Sequence, residues 1–244
     1  GAELDKVCVG AAPMLPVTAL AAAEGAPSSL YVGNYQITNS DTPTYLKAGS
    51  TQGSLEEGSE TDWTVKYDPS TATLTLSGAT IKGGSDVVSI PYGSGIYAQG
   101  SSNQSVALTI ELIGENTITG TFGIYVNATP PTTPGTDASL VIKKSGDNGS
   151  LTVTGTGNSG LHIISGTGNA SLNIEKATVT SSTNGGYAAG VCVQSGASAT
   201  DSPNISLSVD GGSLTTSASE GNDGIQFYVG SSQATGATTS LTVS

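Results

Sequence analysis

The chain has 244 residues, only 11% of them charged, and its 19 acidic residues against seven lysines and no arginine give a formal net charge of −12. This balance argues against nucleic-acid phosphates and anionic membrane surfaces as partners. The missing guanidinium also removes the usual fork that grips carboxylates and phosphates. No apolar run reaches the roughly 18 residues of a membrane-spanning helix, so no membrane insertion is expected. The acidic, Thr-rich composition suits a protein that must stay soluble outside a cell.

Residues 1–29 form an N-terminal segment whose apolar part, Lys6 to Ala23, lacks strand alternation. It is similar to the end of a secretory signal, with Ala19-Leu20-Ala21 as the candidate cleavage site. The alternative interpretation is a cap over the open end of the fold, and the two are compatible. Cys8 lies here, and its pairing with Cys192 stays open because a disulfide cannot be deduced from two distant positions.

Residues 30–72 are predicted to form a β-hairpin cap. Leu30 to Thr38 reads as two alternating runs joined by Gly33-Asn34, which accept positive φ. Trp63 to Leu76 reads as strand, turn and strand, with Asp68-Pro69 opening the turn. The polar stretch between them, Asn39 to Asp62, is predicted to be a solvated loop. The single tryptophan, Trp63, could stack on a sugar, but packing within the cap is the favoured interpretation.

Residues 73–244 repeat a three-strand pattern. The first strand of each unit has the form Leu-x-(Leu/Ile/Val), and successive copies are 34, 32, 32, 35 and 34 residues apart. These pairs are Leu74/Leu76, Leu108/Ile110, Leu140/Ile142, Leu172/Ile174, Leu207/Val209 and Leu241/Val243. The inward residues predicted for the second strand are Ile81, Ile118, Val153, Val179 and Leu214. The third strand begins at Gly95-Ile96, Gly123-Ile124, Gly160-Leu161, Gly190-Val191 and Gly224-Ile225.

A fixed period of a few tens of residues indicates a solenoid. The units are rich in Thr, Ser, Val and Gly and show no helical spacing of apolar residues, so each unit is predicted to be one coil of a β-helix. Equivalent residues would then stack about 4.8 Å apart, with Leu, Ile and Val filling one continuous core. The predicted fold class is all-β: a right-handed parallel β-helix of about five three-stranded coils of 32–35 residues. The chain ends partway through a sixth coil, so the natural protein is expected to continue.

From about Leu30 to Ser244 the chain resembles right-handed parallel β-helices of the pectate-lyase-like type. It resembles more closely the repeat modules of bacterial secreted and cell-surface proteins, which carry runs such as YDPSTATLTLSGATI (Tyr67–Ile81) and IELIGENTITGTFGIYV (Ile110–Val126). The resemblance implies a carbohydrate-binding function and an extracellular location. Its enzymatic part is not carried over, because this chain has no arginine and no adjacent aspartates.

Stacking predicts columns of outward residues. On the third strand the column reads Tyr97, Tyr125, His162, Cys192 and Gln226, and its first three members could form a strip for the apolar face of a sugar. The alternative is an aromatic ladder that only rigidifies the sheet. His162 is the single histidine, so neither a His-based metal site nor a catalytic triad is expected.

The first-strand column is predicted as Ser77, Glu111, Lys143, Glu175 and Asp210. Glu175 and Asp210 would lie on adjacent coils, near the roughly 5 Å carboxylate spacing of retaining glycosidases. The favoured interpretation is an alternating charge ladder. The second strand presents columns of threonine, Thr80, Thr117, Thr152, Thr178 and Ser213 among them, which resemble ice-binding arrays but are also ordinary exposed strand residues.

The favoured function is a non-catalytic extracellular module that binds a glycan or another cell-surface partner through a flat sheet face. Tyr97, Tyr125 and His162 are the predicted ligand-binding residues; no catalytic residue, metal or cofactor is expected. One alternative is a polysaccharide lyase or glycoside hydrolase that uses Glu175 and Asp210. Another is a structural stalk of a surface adhesin.

Overall fold

The computed structural model describes residues 21–38, 40–83, 93–128, 136–197, 201–230 and 236–244. Their regular secondary structure is nearly all β, and they form a β-solenoid of about four turns, which confirms the predicted parallel β-helix with a slightly smaller number of turns. Most of the N-terminal segment, including Cys8 and the signal-like cleavage site up to residue 20, lies outside the described residues.

The cap contains five strands: β1 (Ser29–Val32), β2 (Tyr35–Ile37), β3 (Thr44–Ala48), β4 (Leu55–Glu57) and β5 (Val65–Asp68). The predicted β1–β2 hairpin is confirmed, with Leu30 opposite Ile37 and Gly33 at φ +55° in the turn. The Asn34 side chain both accepts from the backbone N–H of Leu55 at 2.7 Å and donates to its carbonyl at 3.1 Å. These two bonds join the hairpin to β4.

The prediction of a solvated loop over Asn39–Asp62 was wrong. β3 pairs antiparallel with both β4 and β5, and Leu46 and Leu55 are buried. The two strands are short, and Lys47, Glu56 and Glu57 dilute their apolar alternation. Propensity therefore indicated a loop, whereas the burial of two leucines against the cap determines the structure.

The first face of the solenoid is a parallel sheet. It consists of β6 (Thr73–Ser77), the first part of β9 (Val106–Gly120), the first part of β11 (Ala138–Gly155), β13 (Ala170–Glu175), β16 (Asn204–Asp210) and β19 (Thr238–Val243). Leu108, Leu140, Leu172, Leu207 and Leu241 occupy one register column, as predicted.

The first coil departs from that register. Leu74 lies opposite Ile110 rather than Leu108, so β6 is displaced by two residues from the predicted alignment. β6 also pairs antiparallel with β5 of the cap, with Tyr67 opposite Leu74. A two-residue shift keeps the inward side chains inward, since the side-chain period of a strand is two.

The second face consists of β7 (Thr80–Lys82), the last parts of β9 and β11, β14 (Thr178–Thr183) and β17 (Ser213–Ala218). Ile81, Ile118 and Val153 align as predicted. The alignment of Val153 with Val179 was wrong, because Val179 pairs with Leu151 and Ser181 lies opposite Val153. Ser181 is fully buried, and its hydroxyl donates to the carbonyl of Gly190 at 2.6 Å.

The third face consists of β8 (Ile96–Gln99), β10 (Ile124–Asn127), β12 (Leu161–Ser165), β15 (Ala189–Ser195) and β18 (Asp223–Val229). Its predicted register holds throughout: Ile96, Ile124, Leu161, Val191 and Ile225 form one inward column. β1 adds to this sheet in antiparallel pairing with β8, which joins the cap to the solenoid.

The core is one continuous column of aliphatic side chains from the cap to the fifth rung of the first face. Leu172 is fully buried there, whereas Leu241 and Val243 on the last rung are 54% and 72% exposed. The burial of a rung therefore depends on the coil that stacks over it.

The corner between the first and second faces uses left-handed backbone in successive coils. Gly78, Gly114 and Gly211 have φ of +60°, +66° and +59°. In the fourth coil the equivalent residue is Lys176, at φ +56°, whose N–H donates to the carbonyl of Asp210 one coil along. A residue with a Cβ loses roughly 1–2 kcal/mol in this conformation relative to the right-handed region.

We expect Leu172→Ala to lower the free energy of unfolding by about 2–5 kcal/mol, because it opens a cavity between two filled rungs. Thr152→Ala, on the exposed side of the second face, is the matched control and should change it by no more than about 0.5 kcal/mol. Urea unfolding followed by circular dichroism measures both. Equal effects of the two substitutions would contradict the stacked core.

Candidate functional sites

The predicted aromatic column exists. Tyr97 and Tyr125 are opposite one another in the sheet with ring centroids 5.4 Å apart, and Tyr125 and His162 are 5.2 Å apart. Tyr31 of β1 extends the column at 6.4 Å from Tyr97. The four rings follow one line across adjacent strands.

This column is packed rather than open. Tyr97 is only 2% exposed, which leaves no ring face for a sugar. Phe122 stacks on Tyr125, with centroids 4.4 Å apart and planes 14° apart, and it meets His162 edge-on at 5.3 Å. The residues point away from the aliphatic core, as expected, but the burial of Tyr97 favours an aromatic cluster that stabilises the sheet.

His162 is held as a neutral ring within this cluster. Its Nε2 lies 3.2 Å from Oε1 of Gln194, and its buried Nδ1 has no hydrogen-bond partner in the part of the chain that the structure describes. Burial lowers the pKa of His162, and the hydrogen bond to Gln194 raises it by a smaller amount, so that the pKa is about 4. Such a ring is a weak base at neutral pH.

Cys192 follows His162 in the column and is also buried. Its thiol donates to Oε1 of Gln226 at 3.7 Å, and burial raises the pKa of the thiol to about 12. Cys192 has no disulfide partner among the described residues, and its pairing with Cys8 stays open because Cys8 lies outside them.

The acidic column is present with one change. Glu111 pairs with Lys143 at 2.9 Å, and Glu175 and Asp210 are exposed neighbours in register. Ser77 does not belong to the column: it lies opposite Ile113, because of the two-residue shift of β6. The ion pair supports the charge-ladder interpretation for its part of the column.

The threonine columns also follow the corrected register. Thr80, Thr117 and Thr152 are continued by Thr180 and Thr215 rather than by Thr178 and Ser213. Thr178 and Ser213 lie instead in the neighbouring column with Ser150.

A groove that the sequence did not indicate lies in the cap, between β2, β3 and β4. This cap groove has a volume of about 300 Å³ and is lined by Tyr35, Thr38, Pro43, Thr44, Tyr45, Glu57 and Gly58. The Tyr35 hydroxyl donates to Glu57 Oε1 at 3.3 Å, and burial, followed by the charge of Glu57, raises the pKa of Tyr35. Five of the seven lining residues fall in the stretch predicted to be a solvated loop, so this groove was not predicted from the sequence.

The ring of Tyr45 is held in place by other residues of the cap. Trp63 packs against it with centroids 6.4 Å apart, and Lys66 Nζ lies 5.7 Å from the ring centroid. The half-buried Trp63 thus packs within the cap, in line with the favoured interpretation. These contacts fix the orientation of the Tyr45 ring at the groove.

A second groove lies at the corner between the first and second faces. This corner groove has a volume of about 450 Å³ and is lined by Gly114, Glu115, Lys144, Asp147, Asn148, Gly149, Ser150, Lys176 and Thr178. Its wall is the corner of the third coil, where the pairing register between β9 and β11 is interrupted from Lys144 to Gly149.

Within the part of the chain that the structure describes, no group of three or more His, Cys, Asp or Glu side chains is placed to hold a metal ion. No helix among these residues has the length and apolar character of a membrane span.

Comparisons with known proteins identify no relative: no family model, curated protein or solved structure matches the chain significantly. The fold assignment therefore rests on strand register and burial, and the function has to be argued from the chemistry of the two grooves and the columns.

The neutral state of His162 makes stability dependent on pH. Because its pKa is lowered from 6.5 to about 4 on folding, the unfolded chain binds the proton first as the pH falls. The contribution of His162 to the free energy of unfolding is constant above about pH 6.5 and is lost progressively as the pH falls toward 4. At pH 5 we expect this residue alone to make the protein about 2 kcal/mol less stable than at pH 7.5.

Urea unfolding of the wild type and of His162→Gln at both pH values isolates this effect, because all other titrating groups are shared. The wild type should lose more stability between the two pH values than the variant. Parallel losses would show that His162 is not held neutral by burial.

Cys192 should resist thiol reagents in the folded protein. A pKa of about 12 instead of 9 implies a thiolate fraction about 1000-fold smaller at pH 8, and the side chain is 3% exposed. A colorimetric disulfide reagent added to a Cys8→Ser variant should react slowly when folded and at once in denaturant. Rapid reaction of the folded variant would contradict the burial.

Proposed function

We propose that this chain is a non-catalytic, extracellular binding module for a carbohydrate, and that the cap groove receives a sugar residue. The observation that carries the proposal is the placement of two tyrosine rings and a carboxylate around one groove of about 300 Å³. That volume is at the lower end of the range for small-molecule sites, about 300–1000 Å³.

The chemistry of the groove suits a sugar. A pyranose has an apolar C–H face and a rim of hydroxyls, and aromatic side chains supply large apolar area with a polar edge. Tyr35 and Tyr45 offer such surfaces. Glu57 accepts a hydrogen bond from Tyr35 and is exposed, so its carboxylate can also accept charge-assisted bonds from sugar hydroxyls.

Electrostatics narrow the ligand class at this groove. The chain has a net charge of −12, and the carboxylate of Glu57 lines the groove itself. A carboxylate-bearing sugar would be repelled there, whereas a neutral or amine-bearing sugar would not. We therefore assign neutral hexoses and hexosamines to the cap groove.

A glycan array with the wild type and Tyr45→Ala tests the proposal. We expect binding of neutral or amine-bearing glycans by the wild type and a loss of roughly ten-fold in affinity in the variant, the cost of removing one stacking ring. Tyr35→Phe, which removes only the hydroxyl that meets Glu57, should weaken binding less. Circular dichroism checks that each variant is folded.

Tyr125→Ala serves as the comparison variant for the aromatic column of the third face. If it abolishes binding while Tyr45→Ala leaves it intact, the ligand lies on the Tyr97/Tyr125/His162 strip and the cap groove is excluded. If the folded wild type binds no glycan, the proposal fails and a structural stalk is the better description.

A second candidate is a polysaccharide lyase or hydrolase, favoured by the exposed carboxylates of Glu175 and Asp210 on adjacent rungs. Release of reducing ends or of unsaturated products from acidic polysaccharides would support it, provided that Glu175→Gln or Asp210→Asn abolishes the release. Product release that both variants retain would exclude this acid pair.

A further inference from the structure

We infer that the corner groove between the first and second faces is a second binding site, specific for a carboxylate-bearing sugar such as a hexuronate. The inference shares the carbohydrate class of the proposed function but neither its groove nor its residues. It stands on three observations: a lysine in a glycine position, two ammonium groups that have no ion-pair partner among the described residues, and a coil that protrudes to wall the groove.

The first observation is the backbone of Lys176. At the equivalent corner the neighbouring coils use Gly78, Gly114 and Gly211, all with positive φ, and Lys176 adopts φ +56°. A side chain at the Gly78 or Gly114 corner would meet no atom within 4 Å, so a Cβ is sterically admissible and only the backbone is strained. Strain of this kind concentrates at functional sites.

No structural contact accounts for this strain. Lys176 is exposed, and it forms no ion pair within the described ranges. Its stem lies beside Gly211, where an added Cβ would approach Lys176 Cγ to 3.5 Å, an ordinary van der Waals distance. A glycine would adopt this backbone conformation without the strain.

The second observation is the clustering of cations in an acidic protein. Three of the seven lysines, Lys143, Lys144 and Lys176, fall near this corner. Lys143 is neutralised by Glu111 at 2.9 Å. Lys144 Nζ has a single contact of 3.4 Å with the backbone carbonyl of Asp147, so in the described part of the chain both lysines that line the groove lack a carboxylate partner.

The third observation is the wall of the groove. The residues from Lys144 to Gly149 interrupt the pairing of β9 with β11, and Gly146 turns this corner at φ +78°. The third coil therefore projects beyond its neighbours and leaves a space of about 450 Å³ against Lys176 and Thr178 of the fourth coil. That volume is within the range of small-molecule sites.

The lining matches both parts of a uronate. The two ammonium groups suit its carboxylate, because charge-assisted bonds from lysine to carboxylate are stronger than neutral ones. Glu115, Asn148, Ser150 and Thr178 present acceptors and donors for ring hydroxyls. The carboxylates of Glu115 and Asp147 also line the groove and can accept hydrogen bonds from ring hydroxyls.

Isothermal titration with a tetrasaccharide of galacturonate and with the neutral tetrasaccharide of galactose tests the inference. The wild type should bind the acidic probe at least ten-fold more tightly, and the preference should fall as sodium chloride is raised. Lys176→Gly should weaken binding of the acidic probe by ten-fold or more while raising the thermal midpoint, because glycine relieves the left-handed backbone. A variant that is more stable but binds less cannot be explained by misfolding.

Lys82→Gln removes the same charge from the start of the second face and should leave the affinity unchanged. Tyr45→Ala, in the cap groove, should also leave it unchanged, which separates this site from the one under the proposed function. Equal binding of the two probes, equal binding by Lys176→Gly and wild type, or an equal loss in Lys82→Gln would each overturn the inference.

Discussion

Parallel pairing of successive coils in register is the interaction on which every other feature depends. Each strand forms backbone hydrogen bonds to the coil below and the coil above, and this pairing brings equivalent side chains into one column. Leu140 and Leu172 are buried because each lies between two such neighbours. Backbone pairing between coils, rather than a globular centre, determines where each strand lies. The chain can therefore fold with few charged residues and many Gly, Ser and Thr residues.

Regular stacking also explains where binding chemistry can occur. Where coils repeat faithfully, the outer surface is a flat sheet of small polar residues or, on the third face, a closely packed aromatic cluster. The two grooves described above lie where this repetition is broken. The cap groove lies among short antiparallel strands, and the corner groove lies beside the enlarged third coil.

The third face, and the first face from β9 onward, could be predicted from the sequence because an apolar period of two is fixed there by a glycine or a leucine at the same place in each coil. The second face could be predicted only in part, because its strands have two inward positions. Leu151 lies opposite Val179 and Val153 lies opposite Ser181, and alternation alone allowed Val179 to be aligned with either residue. The burial of Tyr97 was not predictable either, because alternation reports which side of a strand a residue occupies and not what covers that side. The cap groove depends on strands of three to five residues, too short for periodicity to be read.

The enlarged corner of the third coil has a consequence for how the length of a coil can vary. Lys143 and Glu175 are register partners, and so are Leu151 and Val179, although the stretch between the two residues is longer in the third coil than in the fourth. A corner can therefore gain or lose residues without changing the phase of the strands that flank it. An insertion of one residue within a strand would instead turn every side chain after it to the opposite face.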